Sequence, residues 1–222
     1  MKIEVSGIEK SYGKKKVLQG VSFCAESGQC VGILGGNGSG KSTLLSILAG
    51  VQKCRCGSFS CDGKDLFKDT KSRNELIGYV PQGTPLIEEL SAKDNLSLWY
   101  TKDELKRELS EGILKMLGIN VFLKTTVSKM SGGMKKRLSI ACAVAKKPPV
   151  LILDEPMAAL DLVCKKSICE YIRHHKDAGG IVIISTHDII ELDLCDKYYI
   201  IKDGILKDFN YTGNIDELVD NL

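Results

Sequence analysis

GGNGSGKST, residues 35–43, is the stretch on which the reading of this 222-residue chain turns. It runs glycine, four residues, then Gly40-Lys41-Ser42. Glycines let a backbone fold around phosphate oxygens so that several N–H groups point inward. Lys41 can then reach the outer phosphates, and the Ser42 hydroxyl can hold a magnesium ion. The flanks agree with this. QCVGIL (29–34) reads as a short apolar strand, and STLLSILAG (42–50) as an apolar-periodic helix stopped by a glycine. Strand, glycine loop and helix N-terminus together make an anion site, because free N–H groups and the helix dipole face the ligand.

The rest of the composition is that of an ordinary globular chain, with 43% hydrophobic and 27% charged residues. One domain, or one domain with an insertion, is the expectation at this length. A net charge of +3 is too small to argue for nucleic acid. The basic clusters at residues 14–16, 135–137 and 165–166 are short and scattered, so a solvated surface is expected for each. No apolar run approaches the ~18 residues that cross a bilayer, and MKIEVSGIEK (1–10) does not read as a secretion signal. The expected setting is intracellular.

Nine cysteines, an odd number beside a phosphate loop, argue for reduced thiols. Cys54, Cys56 and Cys61 lack the paired spacing and the fourth ligand of a zinc site. Cys61 reads instead as a small buried residue in a strand running into a turn.

Strands are expected at 2–8, 17–25, 58–63 and 77–82, and again at 150–153, 181–186 and 197–204. Helices fill the middle. TKDELKRELSEGILKML (101–117) opens with a capping box of Thr101 and Glu104, and it sets Leu105, Leu109, Ile113 and Leu117 along one stripe. A second helix is expected from 134 to 146, ended by Pro148 and Pro149, a third over 160–175, and a final one in NIDELVDNL. Strands alternating with helices imply an α/β fold with a parallel sheet covered on both faces. The helical block reads as an insertion, so the core is expected at about 1–83 and 147–222 and a helical subdomain at about 84–146.

VLILDEP (150–156) is a buried strand ending in two carboxylates. Where the chain turns, the pair can divide the work. Asp154 would complete a magnesium shell with Ser42. Glu155 would orient or deprotonate the water that attacks the terminal phosphate.

Five elements now stand in one order: GGNGSGKST, YVPQ ending at Gln82, SGGMKKRL from Ser131, LILDEP followed by Leu160-Asp161, and STHD containing His187. Together they resemble the nucleotide-binding subunit of an ATP-binding cassette (ABC) transporter, over nearly the whole chain. The resemblance implies a P-loop NTPase core with a mostly parallel sheet, N-terminal antiparallel strands and the inserted helical subdomain. It assigns the phosphates of ATP to Gly35, Gly36, Asn37, Gly38, Ser39, Gly40, Lys41, Ser42 and Thr43, and the adenine to a stack on Tyr12. Mg2+ falls to Ser42, Gln82 and Asp154, and catalysis to Glu155, Gln82 and His187. Ser131, Gly132 and Gly133 would serve the γ-phosphate bound by a second copy or a homologous ATPase, with Asp161 in the loop crossing that interface. A separate transmembrane permease is the implied further partner, which would hold the chain on the inner, cytoplasmic face of the membrane.

Met134, Met157 and Ala158 depart from the commonest pattern, where Gln, Thr and Ser are usual. SGGMKKRL resembles a variant of drug- and antibiotic-export cassettes, which tilts the expectation towards export. The competing class is a soluble cytosolic ABC ATPase without a membrane partner, for example one assisting iron–sulfur assembly. The stretch between Lys41 and Ser131 is too short for the long coiled coils of DNA-maintenance types. A small-molecule kinase on the same loop would leave SGG and LILDEP as accidents.

Overall fold

The computed structural model describes residues 1–186 and 188–221. In chain order its strands and helices are β1 (Lys2–Tyr12), β2 (Lys15–Glu26), β3 (Cys30–Leu34), α1 (Lys41–Leu48), β4 (Cys56–Cys61) and β5 (Lys64–Asp65). Then come α2 (Thr70–Leu76), β6 (Ile77–Val80), α3 (Ala92–Leu96), α4 (Lys102–Ser110), α5 (Ile113–Met116) and α6 (Gly132–Ala143). The last third holds β7 (Val150–Asp154), α7 (Leu162–Asp177), β8 (Ile181–Ser185), α8 (Ile189–Leu192), β9 (Lys197–Lys202), β10 (Ile205–Phe209) and α9 (Ile215–Asn221).

A six-stranded sheet runs β10-β9-β3-β8-β7-β6, parallel except for the antiparallel edge strand β10. An antiparallel sheet of order β2-β1-β4-β5 lies beside it. Strands β3, β7 and β8 are buried at every residue, which is why they read as unbroken apolar runs and not as alternating ones. Their pleat divides them between two cores. Val150 and Ile152 face the antiparallel sheet and α1, packing in one cluster with Ile3, Phe23, Leu44 and Phe59. Leu151 and Leu153 face the other way, into a cluster with Leu96, Leu114, Leu138 and Ile168 from the helices. Each such side chain is worth about 1.5–3 kcal/mol of burial, so both layers clamp the strands that carry the phosphate loop and the paired carboxylates.

Three expectations need correction. The stretch 101–117 is not one helix: α4 ends at Ser110 and α5 restarts at Ile113. The Thr101–Glu104 capping box is present, but the Glu108 carboxylate accepts a hydrogen bond from the Ile113 N–H at 3.0 Å and caps a new turn. A Cβ at Gly112 would lie 2.0 Å from Glu108 Oε2, so glycine permits the break. Leu105 and Leu117 are still buried, while Leu109 and Ile113 are only partly so.

The helix expected from 134 to 146 begins two residues earlier, at Gly132, and ends at Ala143. Finally, the strand expected to end at Gly204 is half of a hairpin: Asp203 and Gly204 take positive φ (51° and 77°) and return the chain as β10. Among the described residues no helix is long and apolar enough to cross a membrane.

Candidate active site

Strand β3 delivers the glycine loop and α1 receives it. Gly35 (φ 149°) sits so close to the β9 backbone that a Cβ would lie 2.5 Å from the Ile201 carbonyl oxygen, so only glycine fits. Gly40 (φ 114°) is the residue that opens α1. Lys41 is 5% exposed. Its ammonium donates to the Gly35 and Gly36 carbonyls at 2.7 and 3.2 Å, which fixes it over the loop. Burial pulls its pKa down, while the carboxylates Glu155 and Asp154 push it back up. Its charge thus sits within the fields of both acids.

Parallel pairing sets those acids. In the β7–β8 register Asp154 stands opposite Ser185, and the Ser185 hydroxyl donates to Asp154 Oδ1 at 2.5 Å. Asp154 is 2% exposed. Glu155 leaves the strand with φ 45°, a left-handed conformation uncommon for a residue with a side chain and a frequent mark of functional sites. Its N–H donates to Ser185 Oγ at 3.1 Å. Its carboxylate accepts from Gln82 Nε2 at 2.9 Å, so the loop after β6 and the turn after β7 meet side chain to side chain.

A cavity of about 460 Å³ gathers Tyr12, Asn37, Gly38, Gly40, Lys41, Ser42, Thr43, Gln82 and Glu155 along its wall. Tyr12 stands at its rim, half exposed. Its hydroxyl donates to Gln52 Oε1, and the Lys10 ammonium lies 5.2 Å from its ring centroid. Gly35, Gly36 and Ser39 are in the same loop but do not line that wall; Gly36 and Ser39 line an adjoining cavity with Lys15 and Lys16.

Ser42, Gln82 and Asp154 offer hydroxyl, amide and carboxylate oxygens. That all-oxygen set, one member of it buried and anchored, fits the needs of Mg2+.

The remaining predicted residues lie elsewhere. Ser131 caps α6, its hydroxyl accepting from the Met134 N–H at 3.3 Å. Ser131 and Gly132 are exposed, and neither lines the Lys41 cavity. Gly133 is buried, and a Cβ there would lie 2.4 Å from Cys164 Sγ on α7. Asp161 caps α7 by accepting from the Cys164 N–H at 2.8 Å, and that bond holds its carboxyl below the usual range. His187 lies outside the described residues.

Met134 packs against the helical core and Met157 is wholly buried, so these two departures put sulfur into apolar packing. Ala158 is exposed. Cys61 is buried as expected, and no cluster of metal-ligating side chains occurs among the described residues.

Three side chains were not expected where they lie. Lys165, read as solvated, forms an ion pair with Asp188, and Lys136 is buried. Glu191 on α8 is 1% exposed and accepts from the Met157 N–H at 2.8 Å. Burial pushes its carboxyl up to about 7. An unfolded glutamate ionises near 4.5, so between about pH 5 and 7 the folded chain keeps a proton that the unfolded chain has lost. Stability then falls as pH rises through that window. Glu191→Gln should remove the loss, gaining on the parent by up to about 3 kcal/mol by pH 8. Thermal melts across pH 5–8 test this, and a gain that does not change with pH would contradict it.

Residues 18–158 match the ABC transporter family, and the chain belongs to that family; it is an ATPase cassette. It is 35% identical to the linearmycin resistance ATP-binding protein LnrL of Bacillus subtilis (strain 168), over 91% of this chain and 67% of that one. It is 36% identical to the Nod factor export ATP-binding protein I of Sinorhizobium fredii (strain NBRC 101917 / NGR234), over 91% and 60%. A sulfate/thiosulfate import ATP-binding protein, CysA of Bacillus cereus (strain ATCC 14579), is 32% identical over 100% of this chain and 64% of its own. The chain thus spans about two thirds of the length of these relatives.

Among solved structures, the ATP-binding subunit of an ABC transporter superposes with a TM-score of 0.85 at 27% identity, covering 99% of this chain and 94% of that one. A dimeric ATP-binding cassette in a post-hydrolysis state bound to ADP and Pi gives 0.82 at 28%, covering 94% and 99%.

Proposed function

We infer that this chain is the ATP-hydrolysing subunit of a membrane export system, acting as a pair of cassettes around two ATP molecules. The observation that carries the reading is the single cavity in which Lys41, Ser42, Gln82 and Glu155 converge while Ser131 stands apart on α6. Half of a phosphate site is formed on each of two surfaces. A second cassette, arranged head to tail, would supply the missing half. Lys41 and the loop N–H groups hold the phosphates, Tyr12 stacks the adenine for about 1–3 kcal/mol, and Ser131 with Gly132 and Gly133 caps the γ-phosphate of the partner. Bound Mg2+, held by Ser42, Gln82 and Asp154, would neutralise phosphate charge. Glu155 orients and deprotonates water, held in place by Gln82 on one side and its Ser185-bonded backbone on the other. His187 would steady the γ-phosphate, and Asp161 sets the loop that crosses the interface.

Support for a membrane partner comes from the continuation of the Gln82 loop. Beyond Gln82 the chain lines a groove with Pro85, Leu86, Ile87, Leu98 and Trp99, beside Tyr79 of β6, and Leu98 and Trp99 are 60% and 54% exposed. An apolar floor of that kind suits a helix of a permease subunit, here received by the 84–146 subdomain. Export is favoured over import by SGGM and by the linearmycin and Nod factor relatives. Isolation from native membranes after cross-linking tests the reading. The expected result is co-isolation with a polytopic membrane protein and faster ATP turnover in that complex. A chain found only in the soluble fraction, alone or with iron–sulfur assembly proteins, would contradict it.

A further inference from the structure

Lys136 is a buried cation in the second turn of α6, five residues after Ser131, and it is 5% exposed. Its ammonium does not meet a carboxylate directly. It donates to the backbone carbonyls of Pro81 and Gln82, at 3.0 and 2.9 Å. The Gln82 side chain in turn donates to Glu155 at 2.9 Å. One unbroken chain of contacts therefore runs from the helix that Ser131 opens, through the Gln82 backbone, to the carboxylate that activates water. The charge is costly where it stands: burial lowers the Lys136 pKa, and only the fields of Asp154, Glu191 and Glu155 raise it. Burying an ammonium costs several kcal/mol unless it is paired and hydrogen-bonded. An apolar side chain would pack α6 against the sheet without that cost, so packing alone does not account for a lysine.

We propose that Lys136 is a positioning residue for ATP hydrolysis: it ties the loop at Pro81 and Gln82 to the start of α6 and so keeps Gln82 on Glu155. The inference rests on the functional reading above and adds a coupling within it. Displacement of the Ser131 end of α6, where the partner's γ-phosphate would dock, moves the Lys136 anchor and with it the Gln82 carboxamide. Docking in one half-site is thereby felt by the water-activating acid of the other half-site on the same chain. Two carbonyls converging on one ammonium make a stiff link, because both oxygens belong to consecutive residues of one loop.

The test is a double-mutant cycle on ATP turnover. Lys136→Met keeps the length and loses the donors. It should lower kcat roughly 10- to 100-fold with ATP affinity changed less than about threefold, whereas Lys136→Arg, which still donates to both carbonyls, should recover most of the rate. In a Gln82→Ala background the same Lys136→Met change should cost less than about twofold, because the group it positions is gone. An equal loss in both backgrounds, or a parental kcat in folded Lys136→Met, would overturn the proposal. If Lys136→Met does not fold, Lys136→Gln, which keeps one donor, is carried through the same cycle with the same criteria. Should Gln82→Ala and Glu155→Gln themselves turn over ATP at the parental rate, the assignment of the active site fails and the coupling fails with it. If those two are slow while Lys136→Met is not, only the coupling fails.

Discussion

Glu155→Gln should slow ATP hydrolysis roughly 100- to 10,000-fold and leave ATP binding intact. The amide keeps the size of the carboxylate and its place at the end of β7, where the backbone is held by Ser185. It can still meet Gln82. What it loses is the ability to take a proton from water, so the chemical step stalls while the phosphate contacts of Lys41 and the loop remain. A cassette that closes on ATP and reopens after cleavage should then accumulate closed. Single-turnover measurement of phosphate release, set beside nucleotide binding by filter retention, separates the two effects. Turnover equal to that of the parent would mean that another group activates water.

Lys41→Ala acts on the opposite step. The ammonium is buried and pinned by the Gly35 and Gly36 carbonyls, with its charge aimed at the cavity that Glu155 and Ser42 also line. Losing a charged hydrogen bond of this kind costs about 1.5–3 kcal/mol, or ~10- to 150-fold in the dissociation constant. Isothermal titration with a slowly hydrolysed ATP analogue measures it. The two variants thus split the site: Lys41→Ala fails to load, and Glu155→Gln loads without turning over. Similar binding defects in both would show that the loop and the β7 carboxylate do not have separate roles.

The phosphate loop and the β7 carboxylates were legible because their physics is local. Glycines needed for a tight turn, a lysine one step later and a buried strand ending in acids each leave a mark within ten residues. The break between α4 and α5 was hidden because the leucine stripe runs on through it. The deciding group, Glu108, sits inside the first helix and caps the second through a side-chain contact.

Strand β10 was missed because it is a mostly exposed edge strand, whose Ile205 is 45% exposed and lacks a buried pattern. Lys136 was missed for a different reason. Three basic residues in a row read as solvated surface, yet successive helical residues point about 100° apart, so one of three can face inward. Only the partner carbonyls at Pro81 and Gln82, far away in sequence, identify which one. Ser185 carried a faint signal: it is the polar end of an apolar strand that, once paired in parallel, stands opposite Asp154.

That Ser131 does not line the Lys41 cavity is the feature on which the proposed pairing of two half-sites rests. Sedimentation of Glu155→Gln loaded with ATP and Mg2+ measures this most directly, with bound nucleotide counted in each species. The account predicts a two-chain particle carrying two ATP, returned to single chains by Ser131→Arg. A single chain that binds ATP tightly and never pairs, with or without membranes present, would contradict it.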